Sequence, residues 1–253
     1  MSERNGYEPG VPCWVDTRQP DPRAAADFYT RLFDWEAETS GEYTFCRLRG
    51  RDVAAIAAGD AAAWNTHIWV DSADETAARA SDAGGRVVTA PFDLPGVGRT
   101  AVLADPAGAV FSVWQPAGHN GAQRVNEPGA WAMSALSTPD LEGAKAFYGT
   151  VFGWETDTFG VGDLEATLWR LPGFVGGEPE QPVPADVVAT AVPGDTARWD
   201  IDLWVDDTDA TAARAAELGG TVLAGPFDMP IGRRAVLADP QGATFSISRV
   251  VPA

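Results

Sequence analysis

The 253-residue sequence predicts an α+β fold in which four βαβββ modules form two tandem domains. Two observations support this prediction. The stretch ADPAGAVFSVW at 104–114 returns as ADPQGATFSIS at 238–248, about half the chain length away. Within each copy, helical patterns alternate with short strand-like segments bounded by turn formers. We therefore expect two curved, eight-stranded sheets with helices on their outer faces, in domains spanning 10–117 and 129–252.

Each half begins with a strand followed by a helix. QPDPRAAADFYTRLFDWEAE at 19–38 matches TPDLEGAKAFYGTVFGWETD at 138–157. The Pro and Asp residues at the start of each stretch supply helix-capping chemistry. Phe28 and Leu32 recur at the spacing of one helix face, as do Phe147 and Val151 in the second copy. A hairpin is expected after each helix.

The second module of each half is also repeated. IWVDSADETAARASDAGGRVVTAPFDLP at 68–95 matches LWVDDTDATAARAAELGGTVLAGPFDMP at 203–230. These stretches predict a strand, an Ala-rich helix that ends at a Gly-Gly pair, and three short strands. Since both halves carry complete modules, we expect each half to keep its own core.

The two copies differ in one insertion and are joined by a short connection. The second half has gained residues, which we place in the Gly- and Pro-rich stretch 171–197, as a longer hairpin loop that could lie over a pocket. PAGHNGAQRVNEPG at 116–129 has linker composition, and we assign 118–128 as the linker. His119 falls in this linker, where no chemical role is expected for it.

Taken together, the FYxxxFxWE, WVD, LGG and ADPxGAxFS motifs resemble the vicinal oxygen chelate superfamily. This superfamily includes glyoxalases, extradiol dioxygenases and bleomycin-resistance proteins. More narrowly, the sequence is similar to its fused two-domain actinobacterial glyoxalase-like branch, from about Pro12 to Val250. The resemblance implies two glyoxalase-like domains but leaves the reaction open, because one scaffold can host many activities.

The resemblance also implies a place for a divalent metal, inside the curved sheet with His, Gln or Glu ligands. The matching positions hold Trp14, Met133, Asn65, Asp200, Ser112 and Ser246. A register shift of two residues brings in His67 and Asp202 instead. One His, or two Asp, without a supporting Glu makes a weak site. We therefore assign no metal and no cofactor.

Strand alternation places polar and aromatic side chains on the cavity faces of the sheets. The candidate ligand-binding residues are Trp14, Phe45, Arg47, Asn65, Trp69, Ser112 and Trp114 in the first half, and Met133, Asp202 and Trp204 in the second. Three tryptophans in one concavity favour a planar ligand, because stacking adds to apolar burial. The alternative is that they plug the sheet. We expect Trp204 to matter less than Trp14.

His67 and Asp16 are the candidate catalytic pair, as a base and its partner. The alternative is a satisfied polar pair that bridges neighbouring strands. Arg47 recurs as Arg170 in the same hairpin strand, which favours an ion pair within the scaffold over ligand recognition.

Composition restricts the partners. A net charge of −18 would repel nucleic acids and anionic membranes over most of the surface. The start of the chain lacks the features of a signal peptide, so we expect a cytoplasmic protein. Cys13 and Cys46 are too few for a disulfide framework.

The expected function is metal-independent binding of an aromatic or polycyclic small molecule, in the cavity of the first half or the groove between the halves. Such binding would serve antibiotic sequestration and self-resistance, or a step in biosynthesis. One alternative is a lyase, isomerase or oxygenase that acts on a small metabolite through Asp16 and His67 or a weak metal site. Another is a scaffold protein with filled cavities. The halves are expected to pair as an internal pseudo-dimer, with a homodimer as a further alternative.

Overall fold

The structure is a computed structural model that describes residues 2–161, 164–176, 184–229 and 232–250. Within these residues it contains two eight-stranded sheets, one two-stranded sheet and four α-helices. The first half comprises β1 (Ser2–Glu3), β2 (Pro12–Gln19), α1 (Pro22–Phe33), β3 (Glu36–Ser40), β4 (Tyr43–Leu48), β5 (Arg51–Ala58), β6 (Ala63–Trp69), α2 (Ala73–Asp82), β7 (Arg86–Leu94), β8 (Gly98–Ala104) and β9 (Val110–Pro116). The remainder comprises β10 (Arg124–Val125), β11 (Trp131–Thr138), α3 (Leu141–Phe152), β12 (Glu155–Val161), β13 (Leu164–Arg170), β14 (Val187–Pro193), β15 (Arg198–Trp204), α4 (Thr208–Glu217), β16 (Thr221–Met229), β17 (Gly232–Ala238) and β18 (Thr244–Val250).

The helices begin where the sequence places capping residues. The Asp21 carboxylate accepts hydrogen bonds from the backbone N–H groups of Arg23 and Ala24 at the start of α1. Asp140 accepts from Gly143 at the start of α3 in the same way. These carboxylates satisfy backbone donors that have no partner inside the helix.

The strand order confirms the predicted modules. The first sheet runs β3-β4-β5-β2-β6-β9-β8-β7, and the second runs β12-β13-β14-β11-β15-β18-β17-β16. In each sheet the two modules join edge to edge through one antiparallel pair, β2 with β6 and β11 with β15. The first strands of the two modules therefore lie side by side at the centre of each sheet.

The helices lie between the two sheets, and the halves share their cores. One apolar cluster joins Phe28 and Phe33 of α1 to Phe245 and Ile247 of β18. The other joins Phe111 of β9 to helix α3. The expectation that each half keeps its own core is therefore wrong. The sequence pattern identifies the apolar face of a helix, but it does not identify the sheet that covers that face.

The repeated ADP turns connect the halves. Asp239 accepts a hydrogen bond from the Tyr29 hydroxyl (2.9 Å), which itself accepts from Trp64 Nε1 (2.9 Å). The reciprocal contact runs from Tyr148 to Asp105 (3.2 Å). Both carboxylates also accept backbone N–H groups of their own turns. These aspartates therefore order their own turns and also bind a tyrosine of the opposite half.

The gained residues of the second half lie between β13 and β14, an antiparallel pair. Strand β14 occupies part of the stretch 171–197 that we assigned to a loop, so the connection itself is shorter and runs from 171 to 186. Residues 177–183 of that connection lie outside the described residues. Phe174 and Gly176, in its described part, line a cavity.

The predicted linker is part of a small ordered layer. Its strand β10 pairs with β1, with Ser2 opposite Val125. Arg124 is buried and donates to Glu127 (2.8 Å) and to Glu3 (3.1 Å). The N-terminal segment and the linker therefore pack together across the junction of the halves. Within the described part of the chain, the helices are all too short or too polar to cross a membrane.

Candidate functional site

The predicted catalytic pair lies together at the centre of the first sheet. His67 Nε2 is 3.0 Å from Asp16 Oδ1, and Asn65 Nδ2 lies 3.0 Å from the same oxygen. Asn65 also donates to Ser112 Oγ (2.9 Å). The register explains this arrangement, since β2, β6 and β9 are neighbours and place these side chains on one face.

The carboxylate of this pair is held in its charged form. Burial alone would raise the pKa of Asp16, but His67, Arg18 and Asn65 outweigh that effect and hold the pKa below its ordinary value. An ionised Asp16 accepts the Nε2–H of His67, which leaves Nδ1 as the free nitrogen. Nδ1 is buried and has no hydrogen-bond partner among the described residues. The pair has the form of an oriented base.

Aromatic side chains fill the space above this pair. Trp14 and Trp114 are only 6% and 4% exposed. The Trp14 ring centroid is 4.5 Å from that of His119, and Phe45 lies 5.6 Å from the same imidazole. Trp114 Nε1 donates to the His119 carbonyl (2.9 Å). In the first half, Trp14 and Trp114 therefore fill the cavity face with buried rings.

His119 was expected to have no role, yet the linker carries it over the first cavity face. Burial lowers the pKa of His119, although Asp52 opposes the shift from 3.7 Å away. Its signal in the sequence was weak, because a single His in a Gly-rich connection is typical of solvent-exposed linkers. Only the path of the chain brings it into contact with Trp14.

The other first-half candidates make scaffold contacts. Trp69 is half-buried, with its ring centroid 6.2 Å from that of Tyr7. Arg47 pairs with Asp52 (2.8 Å) and Glu38. Arg170 repeats this pattern with Asp186 (2.7 Å), as the ion-pair interpretation expects.

The second sheet carries a polar centre at the equivalent strands. Ser248 Oγ donates to Asp202 Oδ1 (2.8 Å). Arg234 Nη2 donates to Ser246 Oγ (2.7 Å), and Arg234 Nε is 3.7 Å from Asp202 Oδ1. Met133 and Trp204 flank this centre, because Met133 pairs with Asp202 and Trp204 pairs with Ser248 in the register. Sequence reasoning missed Arg234, whose counterpart in the first half is Thr100.

The second face is more open than the first. Met133 and Ser248 occupy the positions that Trp14 and Trp114 hold in the first half, and both are half-buried, as is Trp204. A serine in place of tryptophan removes a large ring from the face. We call the surface formed by Met133, Asp202, Trp204, Arg234 and Ser248 the second concave face.

The donor chemistry does not fit a divalent metal in either half. Within the described ranges, no group of three or more His, Cys, Asp or Glu side chains is arranged to hold one. In the first half, the hydrogen bonds of Asp16 and His67 are directed at each other. In the second half, the Arg234 cation lies beside Asp202 and would repel a metal ion.

Burial raises the pKa of Asp202, with Arg234 and Ser248 opposing the shift. Asp16 and Asp202 thus depend on pH in opposite ways. The lowered folded-state pKa of Asp16 gives stability above about pH 4 that is lost as the pH falls through that pKa. The raised folded-state pKa of Asp202 contributes stability that is fully present below about pH 4. This stability is lost as the pH rises through that folded-state pKa.

Asp16→Asn is therefore expected to lower the free energy of unfolding at pH 7, by about 1–3 kcal/mol, because it removes a buried charge from its partners. Asp202→Asn is expected to leave it unchanged or raise it. Urea unfolding from pH 7 to pH 3.5 checks this. As the pH falls, the free energy of unfolding of Asp16→Asn should approach that of the wild type. The free energy of unfolding of Asp202→Asn should fall relative to that of the wild type. Equal deficits for the two variants at pH 7 would contradict the assignment.

Comparison with known proteins gives matches across both halves. The model of the glyoxalase-like domain family matches residues 14–114 and 132–248. The putative glyoxylase CFP32 of Mycobacterium tuberculosis is 38% identical over 268 residues, covering 100% of this chain and 99% of its own. The anthracycline biosynthesis protein DnrV of Streptomyces peucetius is 36% identical over 265 residues, covering 95% and 94%.

Solved structures of low identity share the fold. The Mn(II)-bound glyoxalase from Novosphingobium aromaticivorans has a TM-score of 0.67 at 19% identity, covering 95% of this chain and 82% of that one. Homoprotocatechuate 2,3-dioxygenase from Arthrobacter globiformis has a TM-score of 0.66 at 15% identity, covering 97% and 82%. At these identities the likeness concerns the arrangement of strands and helices alone.

Proposed function

Since the chain belongs to the glyoxalase-like domain family of the vicinal oxygen chelate superfamily, we propose that it binds a planar aromatic or polycyclic small molecule on the second concave face, without a metal. One observation carries the proposal. The buried tryptophans that fill the first face are replaced by half-buried Met133 and Ser248 in the second, beside the half-buried Trp204 and a polar centre. This moves the expected site from the first half to the second.

The side chains of this face supply the contacts that such a ligand needs. The Trp204 indole offers a ring face for stacking, and Met133 adds a polarizable apolar contact. Asp202 and Arg234 lie on the same face and offer hydrogen bonds to oxygen substituents on the rings. A raised pKa favours the protonated form of Asp202, which can donate to a carbonyl oxygen.

A relative supports the ligand class. DnrV, which is similar over almost the whole chain, is named for anthracycline biosynthesis, and anthracyclines contain a planar polycyclic ring system. We accordingly favour assistance in a biosynthetic step over antibiotic sequestration.

Trp204→Ala is expected to weaken binding of a water-soluble hydroxyanthraquinone by about 1–3 kcal/mol, or roughly 5- to 150-fold in Kd, because stacking and apolar burial are lost. Isothermal titration calorimetry on the full chain measures this. The matched control is Trp69→Ala, which removes the equivalent indole from the first half and should leave the Kd within about twofold.

The binding proposal fails if Trp69→Ala weakens binding as much as Trp204→Ala does. It also fails if the compound is recovered chemically changed. A second candidate, acid–base catalysis in the first half, is favoured by the His67–Asp16 contact of 3.0 Å and the free Nδ1. Turnover that disappears in His67→Ala while folding is retained would establish that candidate instead.

A further inference from the structure

A small cavity lies where the N-terminal segment, the linker and β11 meet. Its volume is about 60 Å³. A cavity needs roughly 10–15 Å³ of such space to admit one water molecule, so this cavity has room for a small guest. Val11, Val187 and Phe174 form apolar parts of its wall.

Three residues that line the cavity each hold one buried polar atom without a hydrogen-bond partner among the described residues. The atoms are Arg4 Nε, Asn126 Oδ1 and Trp131 Nε1. Asn126 and Trp131 are only 7% and 5% exposed. Buried polar groups in folded proteins are nearly always paired, because an unpaired one loses its hydration without compensation. Three such atoms around one cavity indicate a polar guest.

The wall also fixes the chemistry of that guest. The N–H groups of Arg4 and Trp131 donate only, so they need acceptor oxygens, which a carboxylate supplies. The carbonyl oxygen of Asn126 accepts only, so it calls for a donor nearby. The whole chain carries a net charge of −18, which repels anions in general. A site for an anion therefore needs a local cation, which the Arg4 guanidinium provides.

We propose that this cavity binds a small carboxylate with a hydroxyl group on the neighbouring carbon. The carboxylate accepts from Arg4 and Trp131, and the hydroxyl donates to Asn126. Such a molecule has about five non-hydrogen atoms in its smallest form, glycolate, which agrees with the available volume. Met133 of the second concave face also lines this cavity, but the three assigned contacts, Arg4, Asn126 and Trp131, lie outside that face, so this proposal does not rest on the proposed function.

Titration of the full chain with glycolate and with acetate, followed by NMR chemical shifts, tests the proposal. Glycolate is expected to bind about 2- to 10-fold more tightly than acetate, the gain from one neutral hydrogen bond. Arg4→Gln should weaken both acids at least about 10-fold, because a charged hydrogen bond is lost. Arg23→Gln, an exposed arginine in α1, makes the same charge change and should have no effect.

Two further variants test the assigned contacts. Asn126 has a left-handed backbone (φ 58°), so Asn126→Gly keeps that conformation while removing the acceptor. It should abolish the preference for glycolate and leave acetate binding intact. Trp131→Phe should weaken both acids, since it retains the ring but removes the donor. If Arg4→Gln does not fold, Arg4→Lys tests the Nε contact while the positive charge is kept.

Several results would overturn the proposal. Absence of saturable binding of either acid would show that the cavity holds water only. Equal affinities of Arg4→Gln and Arg23→Gln for these acids would show that Arg4 does not contact the carboxylate. If Asn126→Gly still prefers glycolate to acetate, Asn126 does not accept from the hydroxyl. Hydroxyanthraquinone binding should be unchanged in Arg4→Gln, so failure of this proposal is separable from failure of the proposed function.

Discussion

Asp239→Ala is expected to lower the free energy of unfolding by about 3–5 kcal/mol, although the residue lies outside both concave faces. Its carboxylate is 3% exposed and accepts from Tyr29 of α1, Gln19 of β2 and the N–H groups of its own turn. Alanine removes the acceptor of the Tyr29 hydroxyl and of the turn N–H groups, and it leaves Gln19 with its bond to Thr17 alone. Urea unfolding measures the loss.

Two comparisons make this prediction specific. Asp105→Ala, the equivalent change in the first half, should also be strongly destabilising, because it leaves Tyr148 and its own turn unpaired. Asp60→Ala, at an exposed aspartate, should change stability by less than about 0.5 kcal/mol. A loss below about 1 kcal/mol in Asp239→Ala would contradict the assigned network.

Because the halves share their cores, each half is also expected to depend on the other for its stability. Residues 1–117 alone would expose Phe28 and Phe33, which pack on Phe245 in the full chain. We expect this fragment to lack a cooperative unfolding transition and to regain one only with the other half present.

Ser248→Trp is expected to weaken hydroxyanthraquinone binding by about 100-fold or more in Kd. It introduces on the second concave face the ring that Trp114 places on the first. Tryptophan at this position would stand beside Trp204 as Trp114 stands beside Trp69. The ring of Trp114 lies against Gly98, and the equivalent position in β17 is also a glycine, Gly232. The second half therefore offers similar room for the ring next to the strand. Calorimetry on the variant measures the loss.

The matched variant is Trp114→Ser, which carries the second-half residue in the first half. It should bind the compound as the wild type does, while its free energy of unfolding falls by about 3–5 kcal/mol because a buried ring is lost. Unchanged binding in Ser248→Trp would place the ligand elsewhere, and loss of binding in Trp114→Ser with folding intact would return the site to the first half.

The sequence by itself determined the architecture. The two pairs of repeated stretches, 19–38 with 138–157 and 68–95 with 203–230, defined the modules, and the Asp and Pro residues before the helices marked where they begin. Alternation along β2 and β6 placed Asp16 and His67 on one face, where the structure brings them within 3.0 Å. These features are local or periodic, so they can be found without knowing which segments meet.

Only the tertiary structure showed which of the two cavity faces is filled and which side chains fill it. Trp14 and Trp204 are both large aromatic residues at inward positions, yet Trp14 is covered by His119 from the linker and Trp204 stays half-buried. Likewise, Arg4 and Asn126 lie far apart in the chain and meet only because β1 pairs with β10. Burial depends on contacts between distant segments, and strand or helix periodicity carries no information about those contacts.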